Sequence, residues 1–169
     1  MDELNKRIWW ELINSKFKSI YASILNARSR KTERLINGFI AVASSGSAAA
    51  WWFWDAIPWL WPLIIIGSQL LNILKPYIPS LSNLKLLHDL QWHYESKYHE
   101  YDQLWLRISM QALTSEQIDE KYKELSDRFF KESNKYQRIR SDDKEIKRLA
   151  TKEWDIILKN KYGIKEVIN

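Results

Sequence analysis

The sequence predicts an all-α membrane protein, in which a two-helix transmembrane hairpin connects an N-terminal helix to a C-terminal cytoplasmic helical bundle. Three observations predict this fold: two long uncharged stretches, a heptad spacing of apolar residues after them, and a scarcity of turn formers. The 169 residues include only four Gly and four Pro, which favours long helices over a many-stranded sheet. Because 46% of the residues are hydrophobic, the chain can bury a core, and this excludes intrinsic disorder.

The composition also excludes several kinds of chemistry. The absence of cysteine rules out disulfides, thiol nucleophiles and thiolate metal sites. His88, His93 and His99 do not have the spacing of three or four that a helical metal pair needs, so we expect surface histidines. No paired carboxylates or nucleophile–base arrangement can be argued. We therefore predict no catalytic residue, no cofactor, no metal site and no enzymatic activity.

Residues 1–34 are predicted to form a basic amphipathic helix on the cytoplasmic side. Ile13, Phe17, Ile20 and Ile24 form one helical stripe. The end of the segment is basic, and such a cluster attracts anionic lipid headgroups. With a lysine that follows the second apolar stretch, it makes an inner basic flank of Arg28, Arg30, Lys31, Arg34 and Lys75. Membrane topology accounts for these charges, so we predict no nucleic-acid partner.

Residues 35–75 are predicted to form the transmembrane hairpin. The stretches 35–54 and 56–74 contain no charged residue, and only Asp55 separates them. Each is long enough to cross a hydrocarbon core of about 30 Å. The basic flank predicts that both termini are cytoplasmic and that the protein lies in the inner membrane. An outer interface belt of tryptophans is expected at the tip: Trp51, Trp52, Trp54, Trp59 and Trp61.

The first apolar stretch is rich in small residues, and these are the candidates for lining a pore or packing helices. They are Ala41, Ser44, Ser45, Ser47, Ala48 and Ala49. Small residues four apart let helix backbones approach closely in lipid. Three interpretations stay open: packing of the two hairpin helices on each other, contact between subunits, and a serine-lined pore. The last two interpretations require several copies of the chain, so a homo-oligomer is expected.

Residues 76–169 are predicted to form about three cytoplasmic helices. A heptad seam in the first of them carries aromatic residues, and Tyr94, Tyr98, Tyr101 and Trp105 form this cytoplasmic seam. The same seam in full comprises Leu84, Leu87, Gln91, Tyr94, Tyr98, Tyr101, Trp105, Ile108 and Ala112. Lys97 and Arg107 lie close by, so these rings could stack a base and bind its phosphates, but the heptad explains every ring as core.

Two further helices follow. Their predicted apolar faces are Ile118, Tyr122, Leu125, Phe129, Glu132, Tyr136 and Ile139, and then Ile146, Leu149, Ala150, Trp154, Ile157 and Leu158. Thr114 and Gln117 form a capping box for one helix, and Ser141, Asp142 and Asp143 form the turn and N-cap of the other, which ends before Gly163. The helices are expected to pack within one subunit, with pairing between subunits as the alternative.

This layout resembles the SLATT family of two-transmembrane effectors. The resemblance consists of a basic helix (ARSRKTERLINGF), a tight hairpin, and a helix rich in Tyr and Leu (HYESKYHEYDQLW). It implies an oligomeric inner-membrane effector that forms a pore or disrupts the membrane in a bacterial anti-phage or conflict system. The implied partners are the lipid bilayer, further copies of the chain, and a cytoplasmic sensor protein or nucleotide second messenger. The alternatives are a non-pore membrane anchor or adaptor that docks a cytoplasmic partner, and an immunity protein.

Overall fold

The computed structural model describes residues 3–44, 59–77, 84–137, 139 and 142–163. They form five α-helices: α1 (Glu3–Ser44), α2 (Leu60–Leu74), α3 (Leu84–Ser109), α4 (Ser115–Ser133) and α5 (Lys144–Tyr162). Single 3-10 turns follow α2 at Lys75–Tyr77 and α4 at Asn134–Tyr136. The chain divides into two compact units, one of Met1–Asn26 with Lys85–Asn169 and one of Ala27–Leu84. The predicted all-α class is confirmed.

The predicted transmembrane hairpin is wrong. Over the residues that the structure describes, no helix combines the length and the apolar character needed to cross a membrane. Helix α2 has 15 residues, which gives about 22 Å at 1.5 Å per residue, short of a hydrocarbon core of about 30 Å. In the first predicted span, the described residues 35–44 form the end of the long α1, which begins in a charged segment. The inner-membrane localisation and the membrane-pore assignment depended on that hairpin and are corrected with it.

The first unit has a core to which α1 contributes at three levels. At the first level, Ile8 and Leu12 of α1 pack with Tyr98, Tyr101 and Leu104 of α3 and with Ile118, Leu125 and Phe129 of α4. At the second level, Ile20 packs with Ala150, Trp154 and Leu158 of α5. At the third, Leu25 meets Leu87 of α3 and Ile146 of α5. The N-terminal helix is therefore a structural part of the C-terminal bundle.

The buried face of α3 differs in part from the predicted seam. The buried residues are Leu87, Leu90, His93, Tyr98, Tyr101 and Leu104. Because α3 is covered by both α1 and α4, its buried face is wider than a single a/d line. His93 is only 5% exposed, so the expectation of a surface histidine is wrong at this position. On α4 and α5 the buried residues all belong to the predicted faces, whereas Leu149 is 43% exposed.

The ends of α4 and α5 follow the sequence signals. The backbone N–H of Gln117 donates to the Thr114 hydroxyl, and the backbone N–H of Thr114 donates to the Gln117 side chain at 3.0 Å, so the predicted capping box is confirmed. Asp143 caps α5 by accepting hydrogen bonds from two backbone N–H groups. Gly163 ends α5 with a φ of 67°, a left-handed conformation that glycine adopts at little cost. These local predictions are confirmed.

The capping box leads to a prediction about stability. Thr114→Ala removes the acceptor for the Gln117 N–H, and we expect it to lower the free energy of unfolding by about 1 kcal/mol. The measurement is urea denaturation followed by circular dichroism. Thr151→Ala is the matched control, because Thr151 is exposed in the interior of α5 and its hydroxyl bonds only to its own helix. Alanine favours a helix interior, so the control should keep or slightly gain stability. An equal loss in both variants would contradict the capping role.

Candidate interaction surface

Helix α2 of the second unit exposes one apolar face. Leu63, Ile66, Leu70 and Ile73 are 54%, 62%, 55% and 63% exposed. Their spacing of three, four and three places them on one line of the helix, as the a and d positions of a heptad are placed. No residue of α2 carries a charge. We call these four residues the α2 seam.

The opposite side of α2 is less exposed. Ser68 is only 5% exposed, and its hydroxyl donates a hydrogen bond of 2.8 Å to the Ile65 carbonyl oxygen of the same helix. Ile64 and Leu71 lie on the same side and are half-buried. Helix α2 therefore has one exposed face, which carries the α2 seam, and an opposite face that is covered.

Helix α1 shows the same division within the second unit. Leu35 and Phe39 are 65% and 41% exposed, whereas Ser29 and Ala43 are 3% and 7% exposed. Lys75, just after α2, donates a hydrogen bond of 2.8 Å to the Asn37 side-chain oxygen of α1. The Lys75 ammonium also lies 4.0 Å from the Glu33 carboxylate. These two contacts tie the end of α2 to α1.

The residues of the predicted inner basic flank lie on α1 or contact it. Lys75 pairs with α1 as described above, whereas the other members are exposed along α1; they are Arg28, Arg30, Lys31 and Arg34. Ala41 is exposed on α1, and Ser44 is the last residue of that helix. Trp59 precedes α2 and is 65% exposed, and Trp61 lies within α2. The remaining candidates lie outside the described residues: Ser45, Ser47, Ala48, Ala49, Trp51, Trp52 and Trp54.

The predicted aromatic seam of α3 lies in the core of the first unit. Tyr98 and Tyr101 are 4% and 1% exposed. The Trp105 ring packs on Trp9 of α1, with 5.0 Å between the ring centroids. Tyr94 is half-buried. The rings of Tyr98 and Tyr101 are therefore covered by protein and are not available to stack a base.

Polar side chains join α1 to α3 beside this core, and sequence reasoning missed them. Lys16 donates to the Glu95 carboxylate at 2.9 Å, and Ser19 donates to the second oxygen of the same carboxylate. One turn away, Lys97 of α3 pairs with Glu11 of α1 at 2.8 Å. Hydrogen-bonded ion pairs between two helices fix the position of one helix along the axis of the other.

A signal for this contact exists in the sequence. The buried residues Ser15, Ser19, Ala22 and Asn26 follow one another at intervals of four and three. They form a heptad line of small residues, which a search for apolar stripes does not detect. Small residues at a seam allow close approach of a second helix, and their polar groups then need partners on it.

Comparison with protein-family models, with curated proteins and with solved structures finds no match for this chain. The SLATT resemblance therefore stays a prediction.

A second polar cluster joins α3 to α5. Lys161 donates to the Asp102 carboxylate at 2.7 Å and also donates to the Tyr98 hydroxyl. The Tyr162 hydroxyl donates to the other Asp102 oxygen at 3.1 Å. Burial, together with the Tyr98 hydroxyl and the Asp102 charge, raises the pKa of Tyr162. The tyrosine therefore stays protonated and keeps its role as a donor.

His93 has a partner on α4. Its Nδ1 lies 3.2 Å from a carboxylate oxygen of Glu132. Burial lowers the pKa of His93, and the contact with Glu132 opposes this shift without cancelling it. The imidazole also packs against the rings of Phe129 and Tyr136, with centroids 5.5 Å and 5.1 Å away. His93 is thus a core residue with one polar contact.

The Glu95 contacts predict a pH dependence of stability. Burial would raise the pKa of the Glu95 carboxyl, but hydrogen bonds from Ser19 and Lys16 and the Lys16 charge lower it below its ordinary value of 4.5. A lowered pKa in the folded state means that the stabilisation is present above pH 4.5 and is lost as the pH falls through the folded-state pKa. We expect Glu95→Gln to be less stable than the parent at neutral pH and the difference to narrow below pH 4.5.

The measurement is the free energy of unfolding from urea titrations at a series of pH values. Glu120→Gln is the matched control, because Glu120 is exposed on α4. The free energy of unfolding of this control should change with pH in the same way as that of the parent. A constant difference between Glu95→Gln and the parent down to the acid limit would contradict the stabilising role of the ionised carboxylate.

Proposed function

We propose that this chain is a self-associating helical adaptor that has no catalytic activity of its own. Copies associate through the α2 seam, and the assembly presents several copies of the first unit to a protein partner. The observation that carries the proposal is the exposure of all four seam residues, each by more than half, on one uncharged helix. The proposal follows the adaptor alternative and not the pore.

An exposed line of large aliphatic residues favours association in water. Soluble proteins show scattered apolar residues on their surfaces, whereas contiguous apolar patches typically mark a binding surface. In addition, Leu35 and Phe39 of α1 are exposed in the same unit. The apolar surface of this unit is thus larger than the α2 seam alone.

The pattern of the α2 seam supports a helix as its partner. Positions three and four apart form the seam of a helix pair or bundle, in which each side chain enters a gap between residues of the facing helix. A second copy of α2 offers the same spacing and the same uncharged surface. Closed rotational symmetry then lets every copy bury its seam in the same way.

The order of residue types along the α2 seam favours more than two copies. Leu63 and Leu70 occupy the a positions, and Ile66 and Ile73 occupy the d positions, because a precedes d by three residues. In coiled coils, Leu at a with Ile at d shifts the preference from dimers to higher oligomers. We therefore expect trimers or tetramers.

Several parts of the sequence-based hypothesis stay predictions. A sensor protein or a nucleotide second messenger as trigger, a place in an anti-phage or conflict system, and the immunity role have no direct support from the described residues. The adaptor proposal needs none of them. It requires only that the first unit folds on its own core and that the second unit supplies the contact between copies.

The test is sedimentation-equilibrium ultracentrifugation of the full chain without detergent. We expect the parent to have the mass of a trimer or tetramer, and the double variant with Ile66→Glu and Leu70→Glu to have the mass of a monomer. Each glutamate would place a charge in an apolar contact, which costs several kcal/mol unless the charge is paired.

The matched control is Gln69→Glu, which adds a charge to the same helix at an exposed position outside the α2 seam. It should keep the mass of the parent. Circular dichroism checks that helix content is the same in all three proteins. A monomeric parent would contradict the proposal, as would an unchanged mass in the double variant. Binding of the parent to lipid vesicles in place of self-association would also contradict it.

A further inference from the structure

A cavity of about 270 Å³ opens in the first unit, between the middle of α1, the start of α3 and the start of α5. Its walls are mainly apolar and include three aromatic rings. The lining residues that matter for binding are Phe17, Lys18, Tyr21, Tyr94, Asp142 and Lys147. The proposed association through the α2 seam does not involve this cavity.

Lys18 is the charged residue of the wall whose ammonium lies beside an aromatic ring. The residue as a whole is exposed to solvent, and its ammonium lies 5.6 Å from the centroid of the Tyr94 ring. Over the part of the chain that the structure describes, Lys18 has no carboxylate within ion-pair distance. Burial and the charge of Lys97 lower the pKa of Lys18, and Glu11 only partly opposes the shift. A bound anion would pair with this cation.

The other charges of the cavity lie near the start of α5. Lys147 is an exposed cation, and Asp142 is the acidic residue among those that line the cavity. The two lysines against one aspartate give the lining a net positive charge. The lining would therefore attract an anionic ligand more strongly than a neutral or cationic one.

From these features we infer that the cavity binds a small molecule in which a planar aromatic ring carries one anionic group. The ring lies against Phe17, Tyr21 and Tyr94, and the anionic group pairs with the Lys18 ammonium at the wall. Aromatic side chains favour stacked or edge-on contact with another ring, and ligand sites are typically apolar with a few polar groups that fix orientation. Phosphate and carboxylate share the required chemistry.

Neither part of such a ligand is expected to bind well alone. A bare inorganic anion would pair with Lys18 but leave the apolar walls in contact with water. An uncharged ring would cover the walls but shield the unpaired ammonium further from water, which is unfavourable. A ligand that has both parts covers the apolar walls with its ring and pairs its anionic group with the Lys18 ammonium.

The test is isothermal titration calorimetry of the full chain with 1-naphthyl phosphate. We expect saturable binding, and at least about tenfold weaker binding of inorganic phosphate and of 1-naphthol, which each lack one part. A titration with 1-naphthoate distinguishes the two anions: tighter binding of 1-naphthyl phosphate assigns the site to phosphate esters, and tighter binding of 1-naphthoate assigns it to carboxylates. Either result supports the inference.

The decisive variant is Lys18→Met, which keeps an unbranched side chain that is one atom shorter and removes its charge. We expect it to weaken 1-naphthyl phosphate binding by about tenfold or more, the effect of losing one charge-assisted contact. Lys18→Arg keeps the charge and should retain binding. Lys85→Met is the matched control, because Lys85 is exposed on α3 and does not line the cavity. Thermal unfolding confirms that each variant is folded, and removing the charge of the exposed Lys18 should not lower the midpoint of the transition.

The double variant with Ile66→Glu and Leu70→Glu separates this inference from the proposed function. It should bind 1-naphthyl phosphate as the parent does, because its changes lie outside the unit that contains the cavity. Loss of binding in that variant would place the ligand on the apolar α2 seam and would overturn the inference. Absence of binding by the parent, unchanged binding by Lys18→Met, or equally tight binding of inorganic phosphate would overturn it as well.

Discussion

The covered face of α1 is the constraint on which the rest of the structure depends. Within the first unit, one line of residues at intervals of four and three runs along α1 from Ile8 to Asn26, and every member is buried. The line starts with the large residues Ile8 and Leu12 and continues with small ones. Large residues fill the core with α3 and α4, whereas small residues let a neighbouring helix come close. A single helix thus sets both kinds of contact.

Two polar members of this line, Ser19 and Asn26, have partners on α3 that only a specific arrangement of the two helices supplies. Asn26 donates to the Gln91 side chain at 3.0 Å, and Ser19 donates to Glu95, one helical turn further along α3. Burying an amide or a hydroxyl without a partner costs about 1–3 kcal/mol, so a shift of α3 by one turn would be costly. The hydrophobic clusters hold α1 and α3 together, and these hydrogen bonds determine their register.

Sequence reasoning succeeded where the signal was local and failed where it depended on distant residues. The Thr114 box, the Asp143 cap and the Gly163 end are fixed by residues within a few positions of each helix end, and all were predictable. The small-residue line of α1 was missed because its burial depends on α3, more than sixty residues away in sequence. The spans were wrong because absence of charge was taken as sufficient, although a helix that begins among charges can run on into an apolar stretch.

In the proposed assembly, the burial energy of the α2 seam limits how tightly the copies would associate. Complete burial of a Leu or Ile side chain contributes about 1.5–3 kcal/mol, so four side chains that are already partly covered contribute roughly 4–7 kcal/mol per copy. Association costs about 4–15 kcal/mol in lost translational and rotational freedom. In the proposed assembly the α2 seam alone would therefore give weak, concentration-dependent association, and burial of the exposed Leu35 and Phe39 of α1 would strengthen it. The proposed adaptor would respond to local concentration, because a partner that gathered several first units would also bring their α2 seams together.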